Sequence, residues 1–384
     1  MLPGVSPKAV MQRNIKQSKK LKLRREWNVA KKKRVTLPKD FKELIETGDI
    51  EKLEAIYDLC ELSATYDGRY GMNTALHYYG VPNELVRWLV KQGLDVNIEN
   101  YYGRSPLYVQ STGGRDTVKL LFELGADIEK PDRYGNRPLH AAASFFRVDT
   151  VRFLVEKGAN IHAENDMEQT PLEASLAVCR NADISKMAEI STILLKEGAK
   201  ITSDMIESVK RIGEEFEFHR DNFNQNYLLE ADAGLKKLYT LFDVTPIAKR
   251  QMHDGVSPII VTDESWEKQY EALWQLLVPS SGAAQTVQGE VVRITGRIRD
   301  ELHRNGGANW DRNYRKMLDA LFVYFASGIP LSEHELNETK KLTSSIHAKG
   351  DDDEQITDRL CELAVLWVLK NPNPALLNKP NYDR

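Results

Sequence analysis

The chain has 384 residues, room for two or three domains, and its 41% hydrophobic and 28% charged residues with net charge −3 suit a globular protein. No apolar run approaches the ~20 residues of a bilayer-spanning helix, and the charged N-terminus has no apolar stretch of a secretory leader behind it. Cys60, Cys179 and Cys361 are too scattered for a disulfide framework or a zinc site, so the expectation is a cytoplasmic protein (nuclear if the host has a nucleus) with no membrane, metal or cofactor.

In chain order, residues 1–36 form a basic arm. Up to residue 35 it carries twelve Lys and Arg against the single acid Glu26, a net +11 that leaves −14 on the rest of the chain. Few apolar residues interrupt it, so a disordered or transiently helical arm is expected. The stretch Lys19–Arg34 is a candidate for nucleic acid or an acidic partner; its plainer reading is a solubilising tail.

Self-similarity starts after the arm. Asn73-Thr-Ala-Leu-His77, Arg104-Ser-Pro-Leu-Tyr108, Arg137-Pro-Leu-His140 and Gln169-Thr-Pro-Leu-Glu173 align on Leu76, Leu107, Leu139 and Leu172, at spacings of 31, 32 and 33 residues. Each is followed by an apolar helix pattern ending in glycine, at Gly93, Gly125, Gly158 and Gly198. Proline is tolerated at a helix start because its missing N–H would be unpaired there. A preceding threonine, as at Thr170, caps the first turn, and the closing glycine permits the left-handed turn that ends a helix. This pattern resembles the ankyrin repeat, a hairpin-like turn followed by two antiparallel helices. The resemblance covers about 37–202: an N-terminal cap (37–65) with a helix pair around Gly48-Asp49, then units 66–98, 99–130, 131–163 and 164–202.

The gaps from aligned leucine to closing glycine are 17, 18, 19 and 26 residues. The first two units are therefore trimmed between helices, and the fourth carries an insertion near Val178–Ser185. Tyr79 and Gln110 stand where the family prefers alanine, and Tyr79 and Tyr108 are expected in the core. The resemblance gives His77 and His140 a structural duty, bonding between turns to order the stack. It also implies that partners are gripped by the hairpin tips, 66–72, 99–105, 131–137 and 164–169, and by the inner face of the first helices. Tyrosine and arginine are enriched at interface hot spots. Tyr70, Tyr101, Tyr102, Arg104, Arg133, Tyr134 and Arg137 are thus the expected protein-partner contacts.

Beyond 203 the repeat stops and an α-helical domain, 203–384, is expected, for an all-α chain of solenoid followed by bundle. Helical spacing marks 203–222, 226–242, 264–278, 286–304, 310–326, 332–347 and 353–370; 243–263 reads as a connection in which only Ser257–Thr262 looks strand-like. This region resembles segments of uncharacterised bacterial proteins, which supplies no chemistry. The stretch 279–311 has unusual composition. Gly289 and Gly296, seven apart, would let another element approach one face of a helix capped by Thr286. Gln288, Glu290, Arg293, Arg297, Asn309 and Asp311 could surround a small polar or anion pocket; otherwise, buried Glu–Arg pairs hold a structural corner. No nucleophile–base pair, metal spacing or phosphate loop is visible, so no catalytic residue is assigned. The leading expectation is a protein-binding adaptor, inhibitor or immunity-type protein. The alternatives are a nucleic-acid-associated regulator acting through the arm, and an enzyme or small-ligand binder using 279–311.

Overall fold

The computed structural model describes residues 32–66, 72–113, 116–262, 265–349 and 354–383. They form sixteen α-helices and one two-stranded sheet, in two compact units. The first holds the residues up to Val209 together with Glu230–Val244, and the second holds Lys210–Leu229 and the residues from Thr245 onward.

The first unit opens on β1 (Arg34–Thr36), α1 (Phe41–Thr47), α2 (Ile50–Leu59) and β2 (Cys60–Thr65). Gly48, at φ 66°, ends α1, and Asp49 caps α2 by accepting from the Lys52 N–H at 3.2 Å. The helix pair thus forms as its Gly-Asp turn predicts. The two strands were not expected: β1 pairs parallel with β2, Arg34 opposite Cys60, with a register irregularity before Thr36 meets Thr65. Residues 34–36, assigned to the arm from sequence, therefore belong to the folded unit. Lys33 Nζ donates to the Tyr57 carbonyl at 2.6 Å.

The repeats follow as helix pairs: α3 (Asn83–Lys91) after a single 3₁₀ turn at Ala75–His77, α4 (Pro106–Gly113) with α5 (Thr117–Glu123), α6 (Pro138–Ser144) with α7 (Val148–Glu156), and α8 (Pro171–Val178) with α9 (Ile184–Lys196). The trimmed first unit has lost most of its first helix. The long fourth unit places its insertion in a 3₁₀ turn at Asn181–Asp183 and a thirteen-residue α9. All four aligned leucines are buried. Ser105 caps α4 through the Tyr108 N–H (3.2 Å) and Thr170 caps α8. The closing glycines all have positive φ, the conformation that lets the chain leave each helix.

The stack continues beyond 202. Within the same unit, Met205 and Val209 from the start of α10 (Ser203–His219) are buried, as are Ala231, Leu235, Leu238 and Phe242 of α11 (Gln225–Phe242). Gly234 lies so close to α9 that a Cβ there would stand 2.8 Å from Ser185 Cα.

The second unit contains α12 (Trp266–Leu277), α13 (Val287–Asn305), α14 (Arg312–Phe325), α15 (Glu333–Lys349) and α16 (Glu354–Lys370) around one apolar core that includes Leu273, Ile294, Leu318 and Trp367. Gly289 approaches the carbonyl end of α12, where a Cβ would sit 2.8 Å from the Leu277 oxygen, and a Cβ at Gly296 would collide with the Trp274 indole. The glycine pair thus permits the close approach read from its spacing. Ser257–Thr262 is irregular rather than a strand; Ile259 donates to the Pro372 carbonyl at 2.7 Å.

Candidate partner-binding surface

The tips are built from their roots outward. Asn100, Asp132 and Asn165 are buried, at the same register in three successive tips. One side-chain oxygen of each accepts from the N–H groups two and four residues on: Tyr102 and Arg104 (2.9 and 3.1 Å), Tyr134 and Asn136 (2.9 and 3.0 Å), Met167 and Gln169 (3.0 and 3.0 Å). Such side-chain bonds hold a turn rigid without a ladder. Adjacent tips are also tied directly, Arg133 N–H to the Tyr102 carbonyl (3.1 Å) and Asp166 N–H to the Tyr134 carbonyl (3.0 Å).

On these roots the expected contacts form a row. Tyr101 and Tyr134 are exposed, at 48% and 56%, and Tyr101 meets Tyr102 edge to face with centroids 5.3 Å apart. The Arg133 guanidinium lies 5.1 Å from the Tyr101 ring, and Arg104 lies 5.2 Å from Tyr102 and 5.1 Å from buried Tyr108. The three arginines differ in what they hold. Arg104 donates to the buried Asp132 carboxylate (3.3 Å) and Arg137 lies 3.2 Å from Glu129, whereas Arg133 has no carboxylate within ion-pair distance among the described residues. Tyr70 and Lys19–Lys31 lie outside the described residues. Met167, 71% exposed, occupies the position in its tip that Tyr102 and Tyr134 hold in theirs. It belongs to the row, and its register two residues after the buried Asn165 was the signal that would have found it.

The inner elements are ordered as the resemblance implies. His77 accepts from the Thr74 N–H at Nδ1 (3.2 Å) and donates from Nε2 to the Arg104 carbonyl of the next repeat (3.1 Å); His140 does the same with Arg137 (3.2 Å) and Gln169 (3.0 Å). Burial pushes His77 down to about 4 despite those carbonyl bonds, and His140 is lowered for the same first reason. In the fourth unit Glu173 stands at that position, bonding Thr170 at its own helix start and Thr202 beyond (2.9 Å each). Tyr79 departs from expectation. It is 53% exposed because the shortened first unit has no helix to turn it inward; its ring rests against Gly113 and its hydroxyl meets Thr112.

The six residues expected around a polar pocket are not brought together. Gln288, Glu290 and Arg293 are buried near the start of α13, Arg297 is exposed farther along, and Asn309 and Asp311 lie past the other end of this nineteen-residue helix. Asn309 folds back only as far as Glu301, which at 1.5 Å per residue lies about 12 Å along the helix from Arg293 and about 17 Å from Glu290. Glu290 is saturated: Arg293 donates twice (2.8 and 2.6 Å), the Ala284 N–H once (2.9 Å) and the Tyr382 hydroxyl once (2.7 Å). Burial pushes the Glu290 carboxyl up, but Arg293 and the other donors outweigh it and hold it below the usual range. Gln288 clasps the C-terminal strap, donating to the Asn371 and Asn373 carbonyls (2.9 Å each) and accepting from Ala375 (3.0 Å). Asp311 caps α14 through Asn313 (2.8 Å), and Asn309 donates to Glu301. This is the structural corner, not the pocket. Among the described residues no cluster of metal-ligand type exists, and no helix is long and apolar enough to cross a membrane.

A family model described as ankyrin repeats (3 copies) matches residues 72–165 and 112–204. These residues are ankyrin repeats. Among curated proteins, the chain is 40% identical over 57 residues to the rice (Oryza sativa subsp. japonica) potassium channel KOR2, 15% of this chain and 8% of that protein. It is 36% identical over 80 residues to the Arabidopsis thaliana E3 ubiquitin-protein ligase KEG, 20% of this chain and 5% of KEG. It is also 29% identical over 100 residues to the rice probable E3 ubiquitin-protein ligase XBOS32, 25% of this chain and 20% of that protein. The chain therefore spans no more than a fifth of any of these relatives.

Proposed function

We propose that the protein acts by binding another protein through its ankyrin tips, as an adaptor, an inhibitor or an immunity-type binder working inside the cell. The observation that carries this reading is the continuous row Tyr101–Tyr102–Arg133–Tyr134–Met167, exposed or half-buried on tips that are internally braced and tied to one another. Preorganised aromatic and arginine side chains lose little freedom when covered, which is why they dominate interface energetics. The similarity to a channel and to ubiquitin ligases is consistent with a recognition module that recurs in proteins of unlike activity.

The test is capture from native cells with the wild type, a Tyr101→Ala, Tyr102→Ala, Tyr134→Ala triple variant, and a control variant at Arg152, an exposed position on α7. A protein partner retained by wild type and control but weakened at least about tenfold by the triple variant is expected. Equal retention by the folded triple variant would remove the tips as the binding surface. Retention of nucleic acid that falls steeply with salt and on deleting residues 1–31 would place binding in the arm instead.

A further inference from the structure

One face of α13 carries Arg293, Gly296, Arg297, Asp300 and Arg304, spaced three, four, seven and eleven residues from the first, so they lie along one side of the helix. In the second unit this side lines a cleft of about 580 Å³, within the size range of small-ligand sites. The facing wall is aromatic. Trp274 stacks on Phe218 with an interplanar angle of 13° and on Tyr270 with one of 29°, and Gly296 is the gap into which the indole fits.

The cations along the cleft are not equivalent. Arg293 is neutralised by Glu290 at 2.6 Å and Arg299 by Asp358 at 3.0 Å. Arg304 meets Asp300 at 3.2 Å, and both side chains are mostly in water, where such a pair contributes little and exchanges readily. Arg297 is exposed and has no carboxylate within ion-pair distance among the described residues. Arg297 directly follows Gly296 and stands about one turn before Asp300, so an uncommitted guanidinium stands beside the aromatic wall.

We propose that this cleft binds a small organic phosphate bearing a planar ring, of the nucleotide class. The ring would lie against Trp274 and the phosphate would be met by Arg297, with Arg304 released from Asp300 as second donor. Guanidinium suits phosphate because its paired N–H groups match two oxygens, and a planar ring stacks on indole whichever base it carries.

The experiment is calorimetric titration of the full chain, with tryptophan fluorescence in parallel, using AMP, GMP, ATP, adenosine and inorganic phosphate as separate probes. At least one nucleotide is expected to bind saturably with quenching, at least about tenfold tighter than adenosine or inorganic phosphate. Arg297→Gln should weaken that nucleotide about tenfold while leaving the circular-dichroism spectrum and melting temperature unchanged, since Arg297 pairs with no carboxylate among the described residues. No saturable binding of any nucleotide up to about 10 mM, or binding unaffected by an Arg297→Gln, Arg304→Gln double variant, would overturn the proposal. Inorganic phosphate binding as tightly as the nucleotides would overturn it as well.

Discussion

Position 110 lies where the third and fourth repeats carry Ala142 and Ser175, yet its glutamine is fully buried. Its Nε2 donates to the carbonyls of Leu76 (3.0 Å) and Tyr78 (2.8 Å) in the preceding repeat. The 3₁₀ turn at Ala75–His77 is too short to give the Leu76 carbonyl a helical N–H donor, and the Tyr78 carbonyl has the Val81 N–H at 3.3 Å besides the amide. Sequence alone marked Gln110 as a misfit in a small-residue position; the trimmed neighbour turns the misfit into compensation. Gln110→Ala would restore the usual residue type while leaving the Leu76 carbonyl short of a donor and the Tyr78 carbonyl with the Val81 N–H alone, and it would open a void. We expect it to destabilise the first unit by about 1–3 kcal/mol, read by urea denaturation. A loss below about 0.5 kcal/mol would mean that water replaces the amide. Arg133 illustrates a different limit. It was legible as a tip arginine, but that it lacks a carboxylate partner among the described residues, where Arg104 and Arg137 have one, is a property of distances.

At the scale of the elements, the stack is held by repeated bonds from one repeat to the next. The buried imidazoles of His77 and His140 each donate from Nε2 to a carbonyl and accept at Nδ1, so both are bound in the neutral form. In an unfolded chain histidine titrates near about 6.5, whereas burial brings His77 down to about 4 and lowers His140 too. Between those values the unfolded state binds more protons than the folded one. The stabilisation is therefore complete above about pH 6.5, declines as pH falls, and is lost for His77 once pH passes about 4. Urea midpoints at pH 7.5, 6.0 and 5.0 should fall in that order, and His77→Gln should flatten the trend. An unchanged slope in that variant, or an NMR titration of the His77 ring centred above pH 6, would contradict this account.

For the whole molecule, the limit of the repeat stack is the main point of interest. The repeat pattern ends near 202, but Met205, Val209 and the buried face of Glu230–Val244 belong to the same compact unit, and Gly234 packs against α9. A terminal repeat needs its inner face covered. A chain truncated after Val244 should melt cooperatively, whereas one truncated after Thr202 should melt at least about 5 °C lower, because it uncovers α9 where Gly234 packs on Ile184 and Ser185 and removes the buried side chains of 203–244. Equal melting temperatures would show that the fourth repeat closes the stack unaided.

The sequence by itself determined the periodic part of this protein. The aligned leucines, the helix-closing glycines, the Gly48-Asp49 turn and the Thr170 cap are local or nearest-neighbour features, and the leucines and glycines recur at a near-regular interval that needs no knowledge of distant contacts. It also determined that the Gly289 and Gly296 face of α13 would admit a neighbour, since helical spacing alone puts them together. The tertiary structure decided what depends on separation in space. It paired β1 with β2 across the cap, where short strands give little periodic signal and the helix pair lies between them. It turned Tyr79 outward when the first unit lost its helix. It also parted Gln288, Glu290 and Arg293 from Asn309 and Asp311. The last case has the plainest cause: Asn309 and Asp311 follow the end of α13, and Asn309 folds back only to Glu301, which a rigid helix holds about 12 Å or more from Arg293 and Glu290.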